Sequence, residues 1–205
     1  MADKMTREQG ARARRQALVE AAAACFAEKG FHQTSMRDLA ERAGVSLGNL
    51  YNHFKSKTDI IREIARLEAD GLNALQAELA GLDDPAQFLD RFVQLYVSMC
   101  AEWYHASITA EIVSEGLRNP EICEDFLSNR RLLVARLAES IDPLMRATPA
   151  VPGLPSSVCA EFVLDLVESV AMRCAFEGGP PGKESIAELK TAVQRLIGTT
   201  VPAAA

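Results

Sequence analysis

The sequence predicts an all-α fold of about nine helices, and three observations carry that expectation. No alternating run of Val, Ile, Tyr or Thr occurs, and no Asn-Gly or Asp-Gly pair joins two such runs into a hairpin. Helix start and stop signals recur along the whole chain. Between them, apolar residues fall at the three- and four-residue spacing of one helical face.

The first helix is expected from about Arg12 to Lys29, with Leu18, Ala22, Cys25 and Phe26 on one face. Gly30 stands where the chain leaves the helix in a left-handed conformation. Ser35-Met36-Arg37-Asp38 and Ser56-Lys57-Thr58-Asp59 both have the capping-box form, in which a hydroxyl and a carboxylate satisfy the first free N–H groups of a helix. Asp84-Pro85 and Asn119-Pro120 each set an N-cap residue before a proline, at the helical position where a missing N–H costs nothing. Ser185 to Glu188 repeats the capping-box form, and Ile186, Leu189, Val193 and Leu196 then mark one apolar stripe. Val151 to Pro155 and Gly178 to Gly182 read as loops, and Pro202 to Ala205 as a frayed tail.

Composition bounds the function. Of 205 residues 48% are apolar and 24% charged, which excludes a disordered or fibrous chain. The net charge of −6 argues by itself against a nucleic-acid partner, but it is unevenly spread. Residues 1–57 hold ten basic and six acidic side chains, whereas residues 58–205 hold twelve and twenty-two. A basic head on an acidic body directs any anionic partner to the head. The polar N-terminus lacks the apolar core of a signal peptide, and the run Ala21 to Ala27 is far too short to span a bilayer, so a cytoplasmic protein without membrane contact is expected. Five scattered cysteines without a C-x-x-C pair fit thiols in a reducing compartment.

Residues 36–55, MRDLAERAGVSLGNLYNHFK, carry the most specific signal. Leu39, Ala40 and Ala43 bury one short helix, Gly44 makes the turn, Val45 plugs the core, Ser46 caps a second helix, and Leu50 packs back on the first. Small Ala40 lets the helices cross steeply, and Gly44 takes positive φ without a Cβ clash. This is the sequence form of a helix-turn-helix, whose second helix enters the DNA major groove; an ordinary helical hairpin has the same outline. Gly48 in the first turn of that helix, the polar and aromatic set Asn49, Tyr51, Asn52 and His53, and Lys55 and Lys57 beside the next helix N-terminus all favour the DNA-binding form.

The stretch TSMRDLAERAGVSLGNLYNHFKSKTDII resembles the DNA-binding signature of the TetR family of bacterial transcriptional regulators. Its Leu-Tyr-x-His-Phe-x-x-Lys core stands at Leu50 to Lys57, and the likeness covers residues 12–65. The resemblance implies double-stranded operator DNA as partner and assigns DNA-facing positions to Leu47, Gly48, Asn49, Tyr51, Asn52 and His53, with Arg37 reaching from the preceding helix. Tyr51, His53, Lys57 and Thr34 would mainly hold phosphates, while Asn52, Asn49 and Arg37 would read base edges. An arm of Arg7, Arg12, Arg14 and Arg15 either adds backbone contacts or is solvated. Leu47-Gly48-Asn49 departs from commoner family sequences, which often carry Lys or Arg followed by Gly-Thr or Gly-Ser; readout from Leu47 is therefore restricted to apolar contact.

The resemblance divides the chain into a DNA-binding domain, residues 1–57, continuous with a larger helical effector-binding and dimerisation domain, residues 58–205. Ser156 to Glu177 carries an apolar stripe broad enough to be covered on two sides. With the last helix it is expected to form a homodimer interface through Phe162, Leu166, Val170, Leu189, Val193 and Leu196. An unidentified small-molecule effector is expected among Tyr96, Met99, Trp103, Tyr104, His105, Phe126, Phe162 and Met172, oriented by Glu111, Glu115 and Arg173; the same residues also fit plain core and solvated surface. A ligand displacing the far end of the helix that starts near Lys57 would change the separation of the two recognition helices and release a palindromic operator.

No enzyme is expected. G-x-S-x-G and H-E-x-x-H are absent, and His32, His53 and His105 lack metal-ligand spacing, so neither catalytic residues nor a metal or cofactor are assigned. Gly178 to Ser185 resembles a P-loop but is one residue short and has Glu184 where Ser or Thr belongs. The alternative within the same class keeps the DNA-binding head and replaces the effector by a protein partner or cysteine oxidation.

Overall fold

The computed structural model of the chain describes residues 2–147 and 154–198, with side chains at all of these except 2–9, 11 and 68–70. Among the described residues there are nine helices and no strand. They are α1 (Ala2–Lys29), α2 (Met36–Arg42), α3 (Leu47–His53), α4 (Lys57–Leu79), α5 (Pro85–Ala101), α6 (Trp103–Gly116), α7 (Pro120–Ala147), α8 (Ser156–Phe176) and α9 (Lys183–Ile197). No helix among the described residues is long and apolar enough to cross a membrane.

The caps explain most boundaries. Asp84 accepts from the N–H of Ala86 ahead of α5, with Pro85 in the first turn. Asn119 accepts from Glu121 N at 3.1 Å ahead of α7. Ser56 and Asp59 cap α4 reciprocally, Oγ to Asp59 N at 3.1 Å and Oδ2 to Ser56 N at 3.0 Å. Two starts differ from expectation. α1 begins ten residues before Arg12, because residues 2–11 are mostly good helix formers that outweigh Asp3, Thr6 and Gly10. α9 begins at Lys183, behind Gly182 and without a side-chain cap, so the Ser185 capping box lies inside the helix. The tail from Pro202 and most of the expected Val151 to Pro155 loop lie outside the described residues.

The chain forms two compact units. The first comprises residues 1–69 and 107–126, the second residues 70–106 and 127–205. The expected division after Lys57 is therefore displaced, for a reason visible in the packing. Ile60, Ile61 and Ile64 of α4, Ile108 and Ile112 of α6, and Ile122 of α7 are buried in the same cluster as Leu18, Phe26, Leu39, Leu50 and Phe54. The helix-turn-helix buries too little apolar surface alone, and each of these isoleucines contributes roughly 1.5–3 kcal/mol by leaving water.

The second unit is built on α5, α8 and α9. Phe92, Tyr96 and Val97 meet Val163, Leu164 and Val167, and Leu189, Val193 and Ile197 of α9 complete the layer. Along α5, Phe88, Phe92 and Tyr96 stack with ring centroids 6.2 and 5.3 Å apart. Tyr96 donates to Glu168 at 2.8 Å, and Arg130 reaches both oxygens of Glu168 at 2.6 Å, so the polar groups entering this core are paired.

Candidate nucleic-acid interface

Two short helices set the geometry. Ser35 caps α2 by accepting from Asp38 N at 3.2 Å, while Asp38 accepts from Ser35 N at 2.8 Å. The Ser35 hydroxyl and backbone N–H hold the Asp38 carboxyl below its ordinary range. Gly44 takes φ +65, which swings the chain so that Val45 N reaches Ala40 O at 3.0 Å. Ser46 then caps α3 through Asn49 N at 3.2 Å. Leu50 and Phe54 are buried, as is Ala40, whose small side chain permits the close crossing.

Most of the rest of α3 faces outward. Gly48, Asn49, Tyr51 and Asn52 are exposed, Leu47 and His53 half-buried, and Arg37 of α2 exposed. Tyr51 is 48% exposed, unusual for a large ring with a buried leucine beside it. A Cβ at Gly48 would meet no other atom within 4 Å, so packing inside the chain does not demand glycine there. All six α3 positions and Arg37 retain some exposure.

Three residues expected toward DNA have partners within the chain. The Thr34 hydroxyl is buried and donates to Gly30 O at 2.8 Å. Lys57 donates to Phe31 O at 2.5 Å and lies 4.5 Å above the Phe31 ring; burial pulls its ammonium below the ordinary range, with Glu115 opposing. Arg15 of the basic arm pairs with Glu63 and the His53 carbonyl while keeping part of its side chain in solvent. Arg12 and Arg14 are exposed, and the side chain of Arg7 lies outside the described residues.

The expected effector residues do not share one unit. Glu111, Glu115 and Phe126 belong to the first; Tyr96, Met99, Trp103, Tyr104, His105, Phe162, Met172 and Arg173 belong to the second. Glu111 accepts from Phe31 N at 2.9 Å. Glu115 is buried with Oε1 2.8 Å from His32 Nε2, a close approach without the alignment of a hydrogen bond. Trp103 and Phe162 are 58% and 48% exposed, and Arg173 pairs with Glu177. In the second unit a cleft of about 710 Å³ is lined by Glu78, Leu82, Ala86, Gln87, Asp90, Arg91 and Gln194, which no local sequence signal singled out. Of the six expected dimer residues, Leu189 and Val193 are buried in this chain's own core, because α9 packs on α5 and α8; Phe162, Leu166, Val170 and Leu196 retain exposure.

A capped two-helix turn with a polar, exposed second helix on a shared apolar core has the form of a helix-turn-helix, the arrangement that sets its second helix into the DNA major groove. The defining pattern of "Bacterial regulatory proteins, tetR family" matches residues 18–64, the segment that holds the helix-turn-helix. It is 29% identical over 175 residues to the HTH-type transcriptional regulator UidR of Escherichia coli strain K12, covering 83% of this chain and 85% of UidR. It is likewise 29% identical over 189 residues to the HTH-type transcriptional repressor KstR2 of Mycolicibacterium smegmatis, covering 88% of each. The fold resembles that of FadR from Bacillus subtilis, a transcriptional regulator solved in complex with stearoyl-CoA, with a TM-score of 0.74 at 16% identity over 91% of this chain and 99% of FadR.

Proposed function

We propose that this chain is a TetR-family repressor that binds a palindromic operator as a homodimer and leaves it when a small molecule binds within residues 58–205. The observation that carries the DNA-binding half is the outer face of α3. Gly48, Asn49, Tyr51 and Asn52 are exposed together on a helix held from behind by Leu50 and Phe54. Asn52, Asn49 and Arg37 are assigned to base edges, Tyr51 and His53 to phosphate, and Leu47 to apolar contact. Gly48 lets the backbone approach DNA, a use that fits its freedom from internal contacts.

Homodimerisation is assigned to the partly exposed apolar side of α8, where exposed Phe162 and half-buried Leu166 and Val170 follow at helical spacing, with half-buried Leu196 of α9. The effector is assigned to residues 58–205. FadR's complex with stearoyl-CoA supports small-molecule control in a chain of this fold. Transmission is assigned in part to α4, one continuous helix that contributes Ile60 and Ile64 to one core and Leu75 and Leu79 to the other.

The test is selection of duplex DNA from a random pool by the full chain, followed by footprinting and sedimentation. Enrichment of an inverted repeat bound by two chains is expected. Recovery of no preferred sequence, or tight binding of one chain to an asymmetric site, would overturn the proposal.

A further inference from the structure

We infer that Glu111 of α6 is a positioning residue for DNA binding, holding the turn between α1 and α2 in the geometry that presents α3. The inference rests on the DNA-binding reading above and adds to it a side chain that never reaches DNA. Gly30 closes α1 with its N–H on Phe26 O at 2.8 Å and, at φ +81, turns the chain out of the helical ladder. The next donor, Phe31 N–H, meets the Glu111 carboxylate at 2.9 Å. From the other side the Phe31 carbonyl accepts from Lys57 at 2.5 Å. Phe31 is thus gripped at both backbone groups, and its buried ring tilts on Phe26 at 5.2 Å.

Four residues further on, Ser35 begins the cap of α2, so the position of Phe31 sets the entry to the helix-turn-helix. Glu111 is itself fixed along α6, because Ile108 and Ile112 on either side are buried in the same core. α6 is a single helix from Trp103 to Gly116, and sliding it by one turn, about 5.4 Å, would carry the carboxylate out of reach of Phe31. Operator affinity then depends on Glu111 keeping Phe31 in place.

The test compares Glu111→Ala with Glu111→Gln in the full chain on the selected operator duplex, across a range of salt. A carboxylate acting only through charge repels DNA, so removing it would tighten binding. Positioning predicts the reverse: Glu111→Ala binds roughly 10- to 100-fold more weakly, as expected for loss of a charge-assisted bond, with an unchanged salt slope. Glu111→Gln keeps an acceptor and stays within about 3-fold of wild type. Binding by Glu111→Ala as tight as wild type, or equal weakening by both variants, overturns the inference and leaves the DNA-binding reading intact. Amide exchange at Phe31 in the wild-type chain guards against a variant that does not fold: protection is expected, and exchange at the free-peptide rate overturns the inference. A wild-type chain that enriches no duplex overturns the DNA-binding reading and this inference with it.

Discussion

The guanidinium of Arg15 donates to the carbonyl of His53, the last residue of α3, at 3.1 Å. The same side chain pairs with Glu63 of α4 at 3.0 Å and lies 4.3 Å over the Phe54 ring. A cation therefore meets the negative end of the recognition helix and ties α1, α3 and α4 together. Arg15→Ala is expected to cost about 1–2 kcal/mol and lower the melting temperature by a few degrees, with Arg15→Lys recovering only part. Urea unfolding of the three chains checks this; an unchanged midpoint for Arg15→Ala would show that the contacts carry no net energy.

The partner carboxylate gives a pH dependence. The Arg15 hydrogen bond holds Glu63 below its ordinary range, against the opposing effect of burial. A depressed carboxyl stabilises the fold above its unfolded value, near 4.3, and that contribution disappears as pH falls through the lower folded value. Glu63→Gln is expected to be less stable than wild type at pH 7, with the gap closing below about pH 4. Unfolding measured from pH 7 to pH 2.5 reads it, and parallel curves would remove Glu63 from the acid limb.

On α3 the two kinds of contact separate by experiment. Tyr51→Ala is expected to weaken binding evenly across operator variants, whereas Asn52→Ala also relaxes preference at one base position in each half-site by about 1–3 kcal/mol. Competition with single-base operator variants measures both. A uniform loss for Asn52→Ala would move that residue from base edge to backbone.

The α8 and α9 apolar residues divide in the same way. Val193 is fully buried within the chain and Phe162 is 48% exposed. Val193→Ala is expected to destabilise folding by roughly 1–3 kcal/mol, while Phe162→Glu leaves the chain folded and shifts it toward monomer. Sedimentation beside thermal unfolding distinguishes them; a Phe162→Glu chain that stays dimeric would place the interface elsewhere.

What was legible in the sequence was local. Ser35 and Asp38, Ser56 and Asp59, Asp84 and Asn119 announce their helices because caps join residues two or three apart. Gly44 between Ala40 and Leu50 marks the turn for the same reason, and the exposed face of α3 follows from which positions must be buried. The uneven charge points to the same end of the chain. What the sequence could not show was decided over long separations. Thr34 and Lys57 look like phosphate ligands until Gly30 and Phe31 supply the carbonyls that hold them. Glu111 and Glu115 look like pocket carboxylates until their helix brings them to a turn 80 residues earlier.

By itself, then, the sequence determined the helices, the helix-turn-helix and the face that it offers. Helical period, caps and glycine conformation act within a few residues, so they can be read along the chain. Only the tertiary structure decided which helices share a core, carrying residues 107–126 into the DNA-binding unit and Leu189 and Val193 into the chain's own interior. Burial of one apolar side chain against another depends on partners that sequence spacing does not encode.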